Sequence, residues 1–184
     1  MSESIVEVGR NFFLLFGLTP QFDIDGQQLA ERYRELQRQV HPDRFANASD
    51  AERRLALQQA SWLNEGYQTL RQPLSRARYL LEQLGVAFNE RDTQMDPAFL
   101  MTQMELRERL AAVPQADDPL TALTRLHSEL EQHWQQLLAS LRSDLAQADA
   151  EALQRARDQV RRLQFLDRLR QEIDQLEEEL AHAI

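Results

Sequence analysis

The sequence predicts an all-α protein, on three observations. Leu, Gln, Glu, Arg and Ala dominate the composition, and these are strong helix formers. Glycine and proline, which break helices, number only 5 and 6 among 184 residues. Apolar residues recur at steps of three and four through most of the chain, the period of a helix that buries one face.

"NFFLLFGL" (11–18) reads as a short apolar helix closed by Gly17. "TPQFDIDG" is turn-rich, and Asp25 can cap a second helix from about 26 to 40, with Leu29, Tyr33, Leu36 and Val40 as its stripe. Pro42 disfavours the helical conformation at His41 and removes a backbone donor, so this helix ends at about His41. Ser49 and Glu52 form a capping box for a third helix, "SDAERRLALQQASWLNEGYQTLRQP", whose apolar positions are Leu55, Ala56, Ala60, Leu63, Tyr67 and Leu70. Pro73 opens a fourth, "PLSRARYLLEQLG", ended by Gly85.

"VAFNERDTQ" (86–94) carries no helical stripe and separates two segments of different composition. Asp96-Pro97, a cap followed by proline at the first helical position, begins a helix to about Val113, which "PQADDP" breaks. A long helix from about 118 to 146 has the series Leu120, Leu123, Leu130, Trp134, Leu137, Leu141 and Leu145. Another, from about 149 to 181, runs through Leu153, Ala156, Val160, Leu163, Leu166, Leu169, Ile173, Leu176 and Leu180. Short links between long amphipathic helices imply antiparallel neighbours. The expected organisation is an N-terminal extension (1–10), a helical domain (11–85), a linker (86–95) and a three-helix bundle (96–184).

Composition narrows the function. A net charge of -9 argues against nucleic acid as a partner, since phosphate neutralisation needs a basic surface. The chain has no cysteine, which removes disulfides, thiol catalysis and cysteine ligation of zinc or an iron–sulfur cluster. It has no lysine either, which excludes Schiff-base and P-loop lysine chemistry. "MSESIVEVGR" carries acids rather than a basic leader, and no apolar run approaches the roughly twenty residues of a membrane span. The expected location is the cytoplasm, without membrane partners. His127, His133 and His182 form no metal pattern, and His41 with Asp43 is too small a set for one. No carboxylate pair is marked out for acid–base work, and there is no phosphate loop or serine elbow. A non-enzyme without cofactor or metal is expected.

Two stretches stand out. In "QVHPDRFAN" (39–47) proline fixes a loop that presents His41 and Asp43, and Arg32, Arg34 and Arg38 lie on the helix leading into it. These arginines are either a solvated helix face or a basic face for an acidic partner. On the helix from 97 to 113, Phe99, Gln103, Leu106, Leu110 and Val113 fall within one sector of about 80° and face the core. Leu100, Met101, Met104, Glu105 and Glu108 fall on the far side, where either a partner or another helix covers them.

Helix, His-Pro-Asp, helix, with "NFFLLFGL" before and "NEGYQTLRQPLSRARYL" after, resembles the J-domain, the module that stimulates ATP hydrolysis by DnaK-type chaperones. A J-domain followed by a helical half with "FLMTQMELRERL" and "RRLQFLDRLRQEIDQLEEEL", and with no zinc-binding cysteines, is similar to the HscB co-chaperone family of iron–sulfur cluster biogenesis. The resemblance implies that His41, Pro42, Asp43 and Arg44, with Arg32, Arg34 and Arg38, meet an HscA-type chaperone. The position of Arg44 is often lysine in that family. It also implies that Leu100, Met101, Met104, Glu105, Glu108 and Phe165 hold an IscU-type scaffold. A further acidic position of the family falls at Ala112, so one charge contact is missing. Phe165 lies beside the apolar stripe of its own helix and is either surface or core. The expected activity is therefore that of a two-site adaptor. The alternatives are a J-protein for a general DnaK with other clients, and a coiled-coil structural protein whose His-Pro-Asp is only a turn.

Overall fold

The computed structural model describes residues 11–45, 48–88 and 96–182. Among them there is no strand, and the chain divides into two compact units, Met1–Leu84 and Gly85–Ile184. The N-terminal extension and residues 89–95 of the linker lie outside the described residues.

The first unit contains α1 (Phe12–Leu15), α2 (Gly26–Gln39), α3 (Asp50–Arg71) and α4 (Pro73–Gln83), with a 3-10 turn at Pro42–Phe45 between α2 and α3. The start signals act where the sequence puts them. The Asp25 carboxylate accepts from the Gln27 and Gln28 amides, and Ser49 with Glu52 closes a reciprocal capping box. Helix α1 is a single turn, shorter than the apolar run, because Gly17 enters the left-handed region at φ +66. There the Leu18 amide bonds back to the Phe13 carbonyl at 2.8 Å.

Helices α2 and α3 form an antiparallel hairpin. Tyr33 stacks on Tyr67 with centroids 4.1 Å apart, and its hydroxyl donates to Asn64 Oδ1 at 2.5 Å. Helix α1 seats Phe12 over Gly66, against Trp62 at 5.4 Å and Tyr79 at 4.9 Å, while the Phe12 amide donates to the Tyr79 hydroxyl. Phe13, Phe16, Leu29, Leu63, Leu70 and Leu81 complete the core. Leu55, expected in the stripe of α3, is instead 47% exposed. It lies at the edge of the stripe, about 100° round the helix from the buried Ala56.

The second unit is a bundle of α5 (Pro97–Ala112), α6 (Pro119–Gln147) and α7 (Ala150–His182), with a 3-10 turn at Val113–Gln115. Asp96 and Asp118 cap α5 and α6, each with proline in the first turn. Pairs along the helices fix the directions. Asp144 meets Arg155 and Glu131 meets Arg170, so α6 and α7 are antiparallel. Asp96 meets Arg162 and Arg107 meets Glu172, so α5 runs parallel to α7. Leu126, Leu130, Leu141, Leu163, Leu166, Leu169 and Ile173 are almost fully buried, each contributing about 1.5–3 kcal/mol relative to exposure.

Leu120, expected in the α6 series, is 41% exposed because it lies about 60° round the helix from Leu123, at the edge of the buried stripe. Leu126, absent from that series, is buried, as is Ala152 on α7. Asp144 is the one buried charged residue in the described core. Its Oδ1 accepts from Arg155 and its Oδ2 from Gln159, and two residues past α6 the chain has turned back, with Ala148 at φ 52.

Candidate functional site

Each unit carries one of the two candidate surfaces. In the first, α2 stops at Gln39, and Val40, only 3% exposed, pins the end of the helix to the core. Proline then forces the change of direction. The Arg44 amide donates to the His41 carbonyl at 3.0 Å, which closes the 3-10 turn. Within it the Asp43 amide donates to His41 Nδ1 at 3.3 Å. Asp43 Oδ2 lies 3.6 Å from the same nitrogen, and the carboxylate side chain is 91% exposed. A carboxylate this exposed has its acceptor lone pairs free for an incoming cation.

The arginines do not form one face. Arg34 and Arg38, four apart, share the side of α2 opposite Leu29, together with Glu31. Arg32 lies about 160° round the helix from Arg34. It pairs with Glu35 at 2.8 Å and passes beside Gly17. Arg44 NH1 reaches the Arg38 carbonyl at 3.5 Å, which places its guanidinium at the C-terminal end of α2. The positive charge nearest the loop therefore comes from Arg38 and Arg44, while Arg34 Nε bonds back to the Ala30 carbonyl at 3.2 Å.

In the second unit, α5 divides as its phase predicts. Phe99, Leu106, Leu110 and Val113 are buried. Leu100 is 43% exposed, Met101 59% and Met104 57%, and Glu105 and Glu108 are exposed beside them. No described helix covers this face, because α6 and α7 flank α5 on its two edges. Arg109 on one edge pairs with Glu129 of α6 at 2.6 Å. That hydrogen bond pushes the Arg109 guanidinium further up in pKa, with Glu105 adding, and holds the Glu129 carboxyl below its usual range. Arg107, on the other edge, reaches Glu172 of α7.

Phe165 is buried, 8% exposed, and Phe99 meets its ring edge-on at 5.8 Å. It belongs to the α5–α7 packing, beneath the exposed ridge and not on it. Position 112 is an exposed alanine. The sequence reading did not mark the guanidinium groups around this aromatic pair, with Arg107 over Phe165 at 5.7 Å and Arg162 over Phe99 at 5.2 Å. The spacing of Leu100, Met104 and Arg107 at four and three was the available signal.

No group of three or more His, Cys, Asp or Glu that could hold a metal ion occurs among the described residues, and no described helix is long and apolar enough to cross a membrane.

Comparison with known proteins gives a consistent result. Residues 95–174 match the family described as the HSCB C-terminal oligomerisation domain. The chain is 47% identical over 172 residues to the co-chaperone protein HscB homolog of Pseudoalteromonas atlantica, covering 93% of this chain and 98% of that one. It is 43% identical over 171 residues to the homolog of Shewanella loihica, covering 92% and 99%. The structure of chaperone HscB from Vibrio cholerae superposes with a TM-score of 0.83 at 44% identity, covering 92% of this chain and 99% of that one. Human co-chaperone protein HscB gives 0.84 at 28% identity, covering 91% and 82%. The chain belongs to the HscB co-chaperone family.

Proposed function

We propose that this protein is a two-site adaptor of iron–sulfur cluster assembly. Its first unit docks on an HscA-type chaperone and stimulates that chaperone's ATPase, and its second unit binds and delivers an IscU-type scaffold. The observation that carries the reading is the exposed Asp43 carboxylate, fixed in a 3-10 turn beside His41 at the mouth of the α2–α3 hairpin. Asp43 pairs with an arginine of the chaperone's ATPase machinery, a charge-assisted bond that biases the chaperone toward its hydrolysis-competent state. Arg34, Arg38 and Arg44 steer the encounter with an acidic chaperone surface. This chain performs no chemistry of its own in the scheme, and the cluster is cargo carried by the scaffold.

Support for the second half comes from the exposed Leu100, Met101 and Met104 beside Glu105 and Glu108. Apolar side chains grouped on a helix face with no internal cover suit an adaptable protein contact. Phe165 contributes by holding α5 against α7 beneath them.

Single-turnover ATP hydrolysis by a purified HscA-type chaperone tests both halves. Wild type should accelerate the turnover, and the scaffold should raise it further. Asp43→Asn should return the rate to the unstimulated value with or without scaffold. Leu100→Ala/Met101→Ala/Met104→Ala should keep the scaffold-independent stimulation and lose the rest. An Asp43→Asn protein that stimulates like wild type sinks the proposal.

A further inference from the structure

We infer that the scaffold-binding surface is polarised in charge across its apolar ridge, and that Arg107 and Arg168 form a cationic edge that takes a carboxylate of the partner. The inference rests on the proposed function and adds the chemistry and orientation of the partner. The ridge of α5 has two sides. Met101, Glu105 and Glu108 point away from the bundle, and the two glutamates make that margin anionic. Leu100, Met104 and Arg107 lie on the margin next to α7, since Arg107 is seven residues from Leu100 and three from Met104.

Arg107 is held in place. Its guanidinium lies 5.7 Å over the Phe165 ring and reaches Glu172 Oε1 at 3.5 Å, and its side chain is still 55% exposed. Ring and carboxylate therefore fix the direction of the guanidinium while leaving donors outward. Arg168 stands on α7 three residues after Phe165 and four before Glu172, so Glu172 lies between the two arginines. Arg168 is exposed, and its guanidinium makes no hydrogen bond or ion pair among the described residues. Glu172 pairs with Arg107 alone, which leaves the Arg168 charge unbalanced one turn away on the same face of α7.

A partner that covers the ridge therefore meets carboxylate-seeking groups on one side and cation-seeking groups on the other. The matching surface is an apolar centre with acid on the α7 side and a basic residue on the outer side. Such a surface fits one way round, because turning it by half a revolution places like charges together. Arg107 is a binding residue in this scheme, while Phe165 and Glu172 are positioning residues that act through it.

Calorimetric titration with a purified IscU-type scaffold, at low and at high salt, tests the inference. Arg168→Glu breaks no hydrogen bond or ion pair among the described residues and should weaken binding about three- to tenfold at low salt, with a smaller loss at high salt. Arg107→Glu should weaken it at least as much, and Arg107→Lys should recover part of the affinity, because charge remains without the fork geometry. Thermal unfolding of each variant, followed by circular dichroism, separates lost binding from lost fold. If Arg107→Glu fails to fold, Arg168→Glu alone decides. Wild-type affinity in Arg168→Glu, while the Leu100, Met101 and Met104 triple alanine loses binding, overturns the inference and leaves the proposed function standing. Wild-type affinity in the triple alanine removes both.

Discussion

Single positions carry much of the local specification. Gly66 is required by packing, not by backbone conformation. A Cβ added there would lie 2.7 Å from Phe12 Cδ1, so the ring would have to shift and give up its contacts with Trp62 and Tyr79. Gly66→Ala would improve helix propensity by about 1 kcal/mol in open solvent, yet here it should destabilise by about 1–3 kcal/mol through overpacking. Chemical denaturation measures it, and a stability gain would refute the reading. Nothing in the sequence distinguished Gly66 from a tolerated helical glycine. By contrast, the caps at Asp25, Ser49 and Asp96 were legible, since a short polar residue before an apolar-periodic run has one dominant use. His41 and Asp43 were legible too, because proline between them removes the helical alternative. Phe165 was not, since a residue beside its helix's stripe can face either way until its neighbours are known.

At the scale of elements, the long hairpin of α6 and α7 depends on a polar clamp close to its turn. Asp144 takes hydrogen bonds from Arg155 at 2.9 Å and from Gln159 at 2.9 Å, while Ala148 and Asp149 reverse the chain. Ala152 and Ala156, both 0% exposed, let α7 approach α6 closely just beyond it. Asp144→Ala strands the part-buried Gln159 amide without its acceptor, at a cost of about 1–3 kcal/mol. Asp144→Asn keeps one acceptor oxygen and should lose less. Thermal melts of the two variants check that order, and equal losses would show that shape and not hydrogen bonding matters at this site. The same region explains where reading helices from sequence failed. A helix in a bundle touches two neighbours, so its buried sector is wider than one stripe, and Leu126 enters it from the side, while Ala152 lies on the stripe four residues before Ala156. Leu55 and Leu120 lie at the edges of their stripes and stay exposed, although Ala56 and Leu123 close by are 3% exposed. A charged Asp144 among leucines breaks the pattern altogether, and only its partners from α7 justify it.

For the molecule as a whole, charge sets the response to pH. With 30 acidic and 21 basic side chains, the calculated isoelectric point is about 5.0, and solubility should be lowest near that pH. Stability should fall on the same side. Glu52 is held below its usual range by Ser49, and Glu129 by Arg109. A carboxyl whose folded pKa is depressed stabilises the fold fully above its unfolded value and loses that contribution as pH falls through the folded one. The melting temperature should therefore be flat around neutrality and decline below the ordinary carboxylate pKa of about 4.3. Glu52→Gln combined with Glu129→Gln should shallow that decline, and an unchanged slope would place the acid sensitivity elsewhere. The two-unit plan also has an optical consequence. The chain has two tryptophans, one in each unit: Trp62, half-buried against Phe12, and Trp134, 7% exposed beneath the Arg170 guanidinium. The more solvent-exposed indole emits at longer wavelength, so one fluorescence spectrum holds separate signals from the two units. Changing either tryptophan to phenylalanine leaves a native probe that follows one unit alone while its partner binds.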